Sequence, residues 1–112
     1  LGDVYKRQQD AQLQGSLLAG LGSKVAFFYG QQHGTGSSRK QAREKELLQM
    51  PGRGPLDFTP LLRALKSINF TRFTEPFMHP FPRGIPIHDS TAGVTAEIIR
   101  SRSYLEKCLQ DL

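Results

Sequence analysis

The feature that most constrains the fold is an alternation of helical and strand-like patterns along the 112 residues. Residues 25–29 form a continuous apolar run that suits a strand buried on both faces, and residues 71–77 form a second short strand-like run. Strands that alternate with helices are typical of βαβ connectivity, in which a crossover segment joins two parallel strands. The sequence therefore predicts an α/β fold. Two strands alone leave both sheet edges open, so we expect this pair to belong to a larger sheet or barrel.

Three segments have leucine, isoleucine and valine at the spacings of an amphipathic helix: 10–22, 57–69 and 90–112. Residues suited to beginning or ending a helix lie at their boundaries: Asp10 and Gly22, Asp57 and Asn69, and Ser90 or Thr91. Asn69 suits the left-handed residue that follows a helix, because asparagine commonly replaces glycine there. The predicted order is helix, strand, long loop, helix, strand, loop, helix.

Residues 31–54 connect the first strand to the second helix and are rich in glycine and charged residues. High helix propensity at residues 42–48 predicts a turn or two of helix within this connection. Connections of this length inside a small domain are usually either functional or mobile. Two interpretations stay open, a binding loop and a polar insertion.

The composition narrows the function classes without choosing among them. The net charge of +5 permits binding to phosphate, but the basic residues are spread along the chain, which favours an ordinary solvated surface. A single cysteine, Cys108, excludes an internal disulfide framework and fits a reducing, cytoplasmic compartment. Its leucine neighbours predict a buried small hydrophobic residue. No apolar run approaches the roughly 20 residues of a membrane span, so we expect no membrane partner.

A carboxylate, Glu75, lies near the C-terminal end of the second predicted strand. Parallel α/β folds place ligands and chemistry at the carboxyl ends of their strands, so Glu75 is the leading candidate site residue. The loop that follows contains His79 and Arg83, which are candidate contacts to a substrate hydroxyl or phosphate. Arg53 and Arg39, in the long connection, are further candidates of the same kind. Simple loop packing is the alternative for each.

Residues 52–77 contain Gly-Arg-Gly-Pro-Leu-Asp-Phe, then Leu-Leu-Arg-Ala-Leu-Lys-Ser-Ile-Asn-Phe, then Thr-Glu-Pro-Phe. These elements resemble the C-terminal part of sugar phosphate isomerases/epimerases of the xylose isomerase-like TIM-barrel superfamily. The resemblance implies that residues 9–112 are a partial (β/α)8 barrel, from the seventh strand to the eighth helix with a preceding helix. A whole barrel takes about 250 residues, so it implies a C-terminal fragment. Residues 1–8 resemble a translated sequencing adaptor, and we expect them to be non-native.

In that family a divalent metal ion is typically held by two glutamates, an aspartate and a histidine at the barrel mouth. The resemblance implies that Glu75 is one metal ligand and also an acid/base carboxylate, with manganese, magnesium, cobalt or zinc as the metal. Such a cation stabilises the enediolate that forms when a proton leaves the carbon next to a carbonyl. The partner carboxylate falls outside these residues, so the fragment alone is expected to be inactive. The first predicted strand contains no histidine; the nearest, His33, is either the histidine ligand or an exposed loop residue.

The leading hypothesis is thus that the full-length protein is an isomerase or epimerase of a sugar or sugar phosphate. We expect no nucleic-acid partner. A homo-oligomer of the full-length protein stays open. Two other functions stay open. One is an apurinic endonuclease resembling endonuclease IV, which belongs to the same superfamily and would use the positive charge against a DNA backbone. The other is a basic nucleic-acid or partner-binding module without catalysis, in which residues 31–54 would form the contact arm.

Overall fold

A computed structural model of the chain describes residues 11–32, 43–76, 78 and 87–112. These residues form a helix-rich mixed α/β arrangement with a two-stranded parallel sheet. The elements in chain order are α1 (Ala11–Leu21), a 3-10 turn (Gly22–Lys24), β1 (Phe28–Tyr29), a 3-10 helix (Arg43–Gln49), α2 (Thr59–Ser67), β2 (Thr74–Glu75) and α3 (Thr91–Gln110). The α/β class and the order of helices and strands agree with the prediction. The predictions for residues 1–8 and for Asp10 lie outside the described residues.

The sheet consists of β1 and β2, which run parallel as predicted. Phe28 lies opposite Thr74, and Tyr29 lies opposite Glu75. Immediately after β1 the Gly30 N–H donates to the Glu75 carbonyl oxygen at 3.0 Å. Each strand is only two residues long, so the regular pairing is much shorter than the apolar runs predicted.

The prediction that the first strand is buried on both faces is wrong. Tyr29 is 57% exposed and Phe27 is 40% exposed, and Phe73, just before β2, is 84% exposed. The physical reason is that the faces of a strand are buried only by elements packed on them, and the described helices pack mainly on one another. Large apolar side chains are therefore exposed at the sheet, as Leu17 and Ile99 are on the helices.

The core lies on the helical side, where α1 packs against α2 and α2 packs against α3. Its buried apolar residues are Val25, Phe58, Leu61, Leu62, Leu65 and Leu105. The close packing of α1 on α2 depends on Gly15, which is buried: a Cβ placed there would lie 3.0 Å from the Pro60 carbonyl oxygen. Cys108 was predicted to be a buried small hydrophobic residue, and it is partly buried against this core.

The C-terminus of α2 confirms the role predicted for Asn69. Asn69 has φ of 54°, in the left-handed region. The Phe70 N–H donates to the Leu65 carbonyl oxygen at 3.0 Å, and the Asn69 N–H donates to the Lys66 carbonyl oxygen at 3.1 Å. This pair of hydrogen bonds is a Schellman motif, and Phe70 packs against the core as such motifs favour. The motif ends α2 and turns the chain toward β2.

The N-termini of two helices show the capping hydrogen bonds predicted for them. The Ser90 hydroxyl accepts a hydrogen bond from the Gly93 N–H at 3.1 Å, so Ser90 and not Thr91 caps α3. The Asp57 carboxylate accepts from the Thr59 N–H at 2.9 Å, which is the bond expected of a cap residue two positions before its donor. Phe58, between them, already has helical dihedral angles.

The connection between β1 and α2 contains the predicted helical turn, as a 3-10 helix over Arg43–Gln49.

Within the described ranges, every helix is too short or too polar to cross a membrane.

Candidate functional site

Glu75 is the last residue of β2, so its carboxylate lies at the carboxyl end of the parallel pair. The residue is exposed, while its carbonyl oxygen accepts the hydrogen bond from the Gly30 N–H. No basic side chain of the described residues forms an ion pair with this carboxylate. The sheet therefore holds the backbone of Glu75 in place, while its carboxylate is exposed to solvent. This arrangement suits a side chain that acts on a ligand.

Three of the residues predicted to work with Glu75 are His33, His79 and Arg83, and all three lie outside the described residues, as does Arg39. Their assignment as metal ligand or substrate contacts stays a prediction. Arg53 is described, and its guanidinium group takes part in an ion-pair cluster with α3.

A metal site needs several oxygen or nitrogen ligands that converge on one point. In the part of the chain that the structure describes, no group of three or more histidine, cysteine, aspartate or glutamate side chains is placed to hold a metal ion. Glu75 is the one predicted ligand among these residues. The described residues therefore do not form the predicted divalent-metal site by themselves.

A charged cluster that was not predicted lies where α3 meets the loop after the 3-10 helix. Glu97 is 3% exposed, and its two carboxylate oxygens accept from Nε and Nη2 of Arg53, both at 2.6 Å. Arg100 donates to Glu97 Oε1 from Nη2 at 2.7 Å and from Nε at 3.0 Å. Arg100 Nη2 also donates to the Pro51 carbonyl oxygen at 2.9 Å. We call these three residues, Arg53, Glu97 and Arg100, the Arg-Glu-Arg cluster.

The electrostatics of the cluster keep Glu97 ionised although it is buried. Burial by itself raises the pKa of a carboxyl group, but the hydrogen bonds and charges of Arg53 and Arg100 outweigh burial and lower the Glu97 pKa to about 2. The same hydrogen bond to Glu97 raises the pKa of Arg53. All three groups are therefore charged at neutral pH, which leaves the cluster with one net positive charge.

A buried glutamine fixes the loop that carries Arg53. Gln32 follows β1 closely, and its Nε2 donates to the Met50 carbonyl oxygen at 2.9 Å. Its Oε1 accepts from the Leu56 N–H at 2.8 Å, and its own N–H donates to the Gln49 carbonyl oxygen at 2.8 Å. Gly54 lies so close to this side chain that a Cβ there would collide with it. The loop is thus held at the carboxyl end of β1.

The sequence contained only a partial signal for this cluster. Glu97 and Arg100 are three residues apart, a spacing that allows a side-chain ion pair on a helix. Arg53 is 44 residues away from Glu97 in the chain, so its participation depends on the packing of the loop against α3. A glutamate on a helix with basic neighbours otherwise suggests a solvated face, and nothing in the sequence indicates that Glu97 is buried.

Comparisons with known proteins assign the chain to no family. No protein-family model matches it, and searches of curated proteins and of solved structures gave no match either.

Proposed function

We propose that the chain is the C-terminal part of a metal-dependent sugar or sugar-phosphate isomerase/epimerase built on a (β/α)8 barrel. The supporting observation is the exposed Glu75 carboxylate at the carboxyl end of a parallel pair whose strands are separated in sequence by α2. Barrels of this type build their active sites at the carboxyl ends of the strands. In this proposal β1 and β2 are the seventh and eighth strands.

The exposed apolar side chains near the sheet also support a larger sheet in the whole protein. Phe27, Tyr29 and Phe73 expose much of their surface, and no other strand of the described ranges pairs with either edge of the sheet. Native sheets usually cover or close such edges, and a barrel closes them completely. In the proposed barrel, further strands and helices cover these residues.

The proposed chemistry of this chain is proton transfer at Glu75. An exposed carboxylate at a strand end can remove a proton from the carbon next to a carbonyl, which gives an enediolate, and the proton can return to a different face or a neighbouring carbon. The first outcome is epimerisation and the second is isomerisation. Because the described residues do not form a metal site by themselves, Glu75 would be one ligand of the metal, and the other carboxylate ligands and the second acid/base carboxylate are assigned to the rest of the protein. The chain alone is then inactive.

The most direct test is to read the coding sequence upstream of Gln9 in the source nucleic acid. The proposal requires further strand-helix units in the same reading frame, with a glutamate and an aspartate at strand ends. A native start codon directly before Gln9 would show that no barrel precedes these residues and would refute the proposal.

In the protein extended by that upstream sequence, Glu75→Gln should lower kcat by about 10²- to 10⁴-fold, the usual contribution of a general acid or base. Its melting temperature should stay unchanged, because the Glu75 side chain is exposed and pairs with no described residue. Glu106→Gln is the matched control, since Glu106 forms an exposed ion pair with Arg102 on α3. Isomerase assays with and without added divalent metal measure both. Full activity of Glu75→Gln would remove Glu75 from the active site.

A further inference from the structure

The parallel pair brings an aromatic side chain directly beside Glu75. Tyr29 lies opposite Glu75, and neighbouring strands are about 4.8 Å apart. Tyr29 is 57% exposed, and Glu75 is exposed as well. We infer that Tyr29 is a further substrate-contacting residue of the proposed active site, whose ring packs against the C–H groups of the sugar while Glu75 moves the proton. This inference rests on the proposed function and adds to its site a residue that orients the substrate.

The alternation of side chains along β1 places Tyr29 on the face of the sheet that points away from the helices. Phe28 packs against the helical core, and a Cβ built on Gly30 would lie 3.4 Å from the Leu105 side chain. Both positions therefore face the helices. Successive residues of a strand point to opposite faces. Because Tyr29 lies between Phe28 and Gly30, its ring points to the other face.

Glu75 shares this face with Tyr29. Residues directly opposite each other on neighbouring strands of a pleated sheet point to the same side. Thr74, which precedes Glu75, faces the helix side, since a Cβ on Gly30 would lie 3.8 Å from its methyl group. In a (β/α)8 barrel the helices surround the strands, so the face away from the helices is the barrel interior. In the proposed barrel both side chains therefore point inward at the carboxyl ends of their strands, where one small substrate contacts both.

A second ring fixes the orientation of Tyr29. The rings of Phe27 and Tyr29 are in edge contact, with centroids 4.7 Å apart and planes inclined at 62°. Phe27 lies two residues nearer the amino end of the strand, in the direction of the layers of side chains that fill the interior of a barrel. In the whole protein Phe27 thus belongs to the packed interior, and Tyr29 lies above it at the mouth.

The chemistry of a tyrosine side chain suits a sugar. Its ring is apolar and its hydroxyl tip is polar. Each hydroxyl-bearing carbon of a sugar also carries hydrogen, so the substrate likewise has apolar and polar groups close together. The C–H bond that meets the Glu75 carboxylate decides which product forms, and an aromatic surface beside the carboxylate holds the carbon chain in one orientation. The ring of Tyr29 therefore contributes binding and orientation, and Glu75 contributes the proton transfer.

The test measures turnover and binding in the protein extended by the upstream sequence. D-xylose, D-fructose and D-fructose 6-phosphate serve as probes of an aldose, a ketose and a sugar phosphate. With a probe that is turned over, Tyr29→Ala should raise KM about tenfold, the order expected for the loss of one aromatic contact. It should lower kcat far less than Glu75→Gln does. The conservative variant Tyr29→Phe keeps the ring and should restore KM to within about threefold of the unmodified enzyme.

Ile99→Ala is the matched control, because Ile99 is as exposed as Tyr29, at 58%, but lies on α3. It should leave kcat and KM unchanged. The same KM for Tyr29→Ala and Ile99→Ala would overturn the inference, as would an equal loss in Tyr29→Phe, which would assign the effect to the hydroxyl group and not to the ring. Where circular dichroism shows that Tyr29→Ala is unfolded, Tyr29→Leu keeps an apolar side chain without a ring and should raise KM in the same way.

Dissociation constants of the three probes, measured by NMR titration, separate this inference from the proposed function. If Glu75→Gln abolishes turnover and Tyr29→Ala leaves KM unchanged, only the contact at Tyr29 is refuted. If no probe is turned over but Tyr29→Ala still weakens binding of a probe about tenfold, the contact is supported and only the isomerase is refuted. If the unmodified protein binds none of the probes, both are refuted.

Discussion

At the scale of single residues, Glu97 shows how a buried charge is tolerated. Moving a carboxylate out of water is costly unless it is paired and hydrogen-bonded. Here both oxygens accept short hydrogen bonds from guanidinium groups, which lowers the pKa of the carboxyl group to about 2. The consequence is that Glu97 joins α3 to the loop around Arg53 only while it is ionised.

The stability contributed by Glu97 should therefore depend on pH in a defined window. The folded-state pKa lies below the ordinary value of 4.5, so the contribution is complete above that value and is lost as the pH falls toward 2. We expect Glu97→Gln to lower the free energy of unfolding by about 2 kcal/mol at pH 7. The shift of the Glu97 pKa alone implies a larger loss, but solvent screens the two partly exposed arginines and weakens their interaction with the carboxylate. Urea unfolding at pH values from 2 to 7 measures the difference, which should shrink toward zero at the acidic end.

Glu106→Gln provides the control for this experiment on the same helix. Glu106 and Arg102 form an ion pair whose side chains are 51% and 75% exposed. Exposed pairs of this kind contribute about 0–1 kcal/mol, so this variant should unfold almost as the unmodified chain does. An equal loss in both variants, or a loss in Glu97→Gln that is the same at pH 2.5 and pH 7, would contradict the assigned role of the cluster.

At the scale of elements, two glycines in α1 differ in what surrounds them. Gly15 faces α2, where a Cβ would meet the Pro60 carbonyl oxygen at 3.0 Å and the carbonyl carbon at 3.4 Å. Gly20 has no atom within 4 Å of the same position. Helical glycines usually cost stability relative to alanine. At Gly15 this cost is offset by the close approach of two helices.

Alanine substitutions at these two positions should therefore have opposite effects. Gly20→Ala should raise the free energy of unfolding by about 0.5–1 kcal/mol through helix propensity alone. Gly15→Ala should lower it by about 1 kcal/mol, because backbone atoms of α2 must move away from the new methyl group. Chemical denaturation of both variants beside the unmodified chain measures the two changes. Equal stabilisation by both substitutions would show that α1 does not pack closely on α2.

Two of the features that sequence analysis predicted correctly are local. Asn69 ends α2 and Ser90 caps α3 because each acts on backbone groups a few residues away. The parallel pairing is a long-range contact, but the alternation of strands and helices along the chain was enough to predict it. The burial of Glu97, by contrast, depends on a contact with Arg53, 44 residues distant, and so the cluster was missed.

The same distinction explains the error about the first strand and the role of Gly15. Apolar content at residues 25–29 predicted full burial, but burial depends on what packs against a strand, and the described helices pack mainly on one another. Helix propensity, which is a property of one helix, would have Gly15 only weaken α1. Its value for packing depends on Pro60 in another helix. For the site, the position of Glu75 followed from its strand, while its catalytic role stays a prediction.

At the scale of the whole molecule, the described core lies among the helices and not at the sheet. Phe58, Leu61 and Leu62 are almost completely buried, whereas Phe73 beside β2 is 84% exposed. Exposed apolar residues also occur on the outer faces of the helices, for example Leu17 at 60%. The pairing of β1 with β2 involves two residues of each strand, no other described strand supports it, and the aromatic residues beside it are exposed. Little therefore prevents the two strands from separating. We therefore expect the sheet to be the less stable part of the described structure.

Native-state hydrogen exchange on the 112-residue chain tests this expectation. The Leu62 N–H donates to the Phe58 carbonyl oxygen at 2.9 Å within the core of α2 and should exchange only through global unfolding. The Gly30 N–H donates to Glu75 at 3.0 Å across the sheet and should exchange about 100-fold faster or more, because β1 and β2 separate without unfolding the helices. In the protein extended upstream, additional strands should slow exchange at Gly30 far more than at Leu62. If Gly30 already exchanges as slowly as Leu62 in this chain, the two-stranded sheet is stable without further strands, and the proposal of a larger barrel loses its support from the open edges.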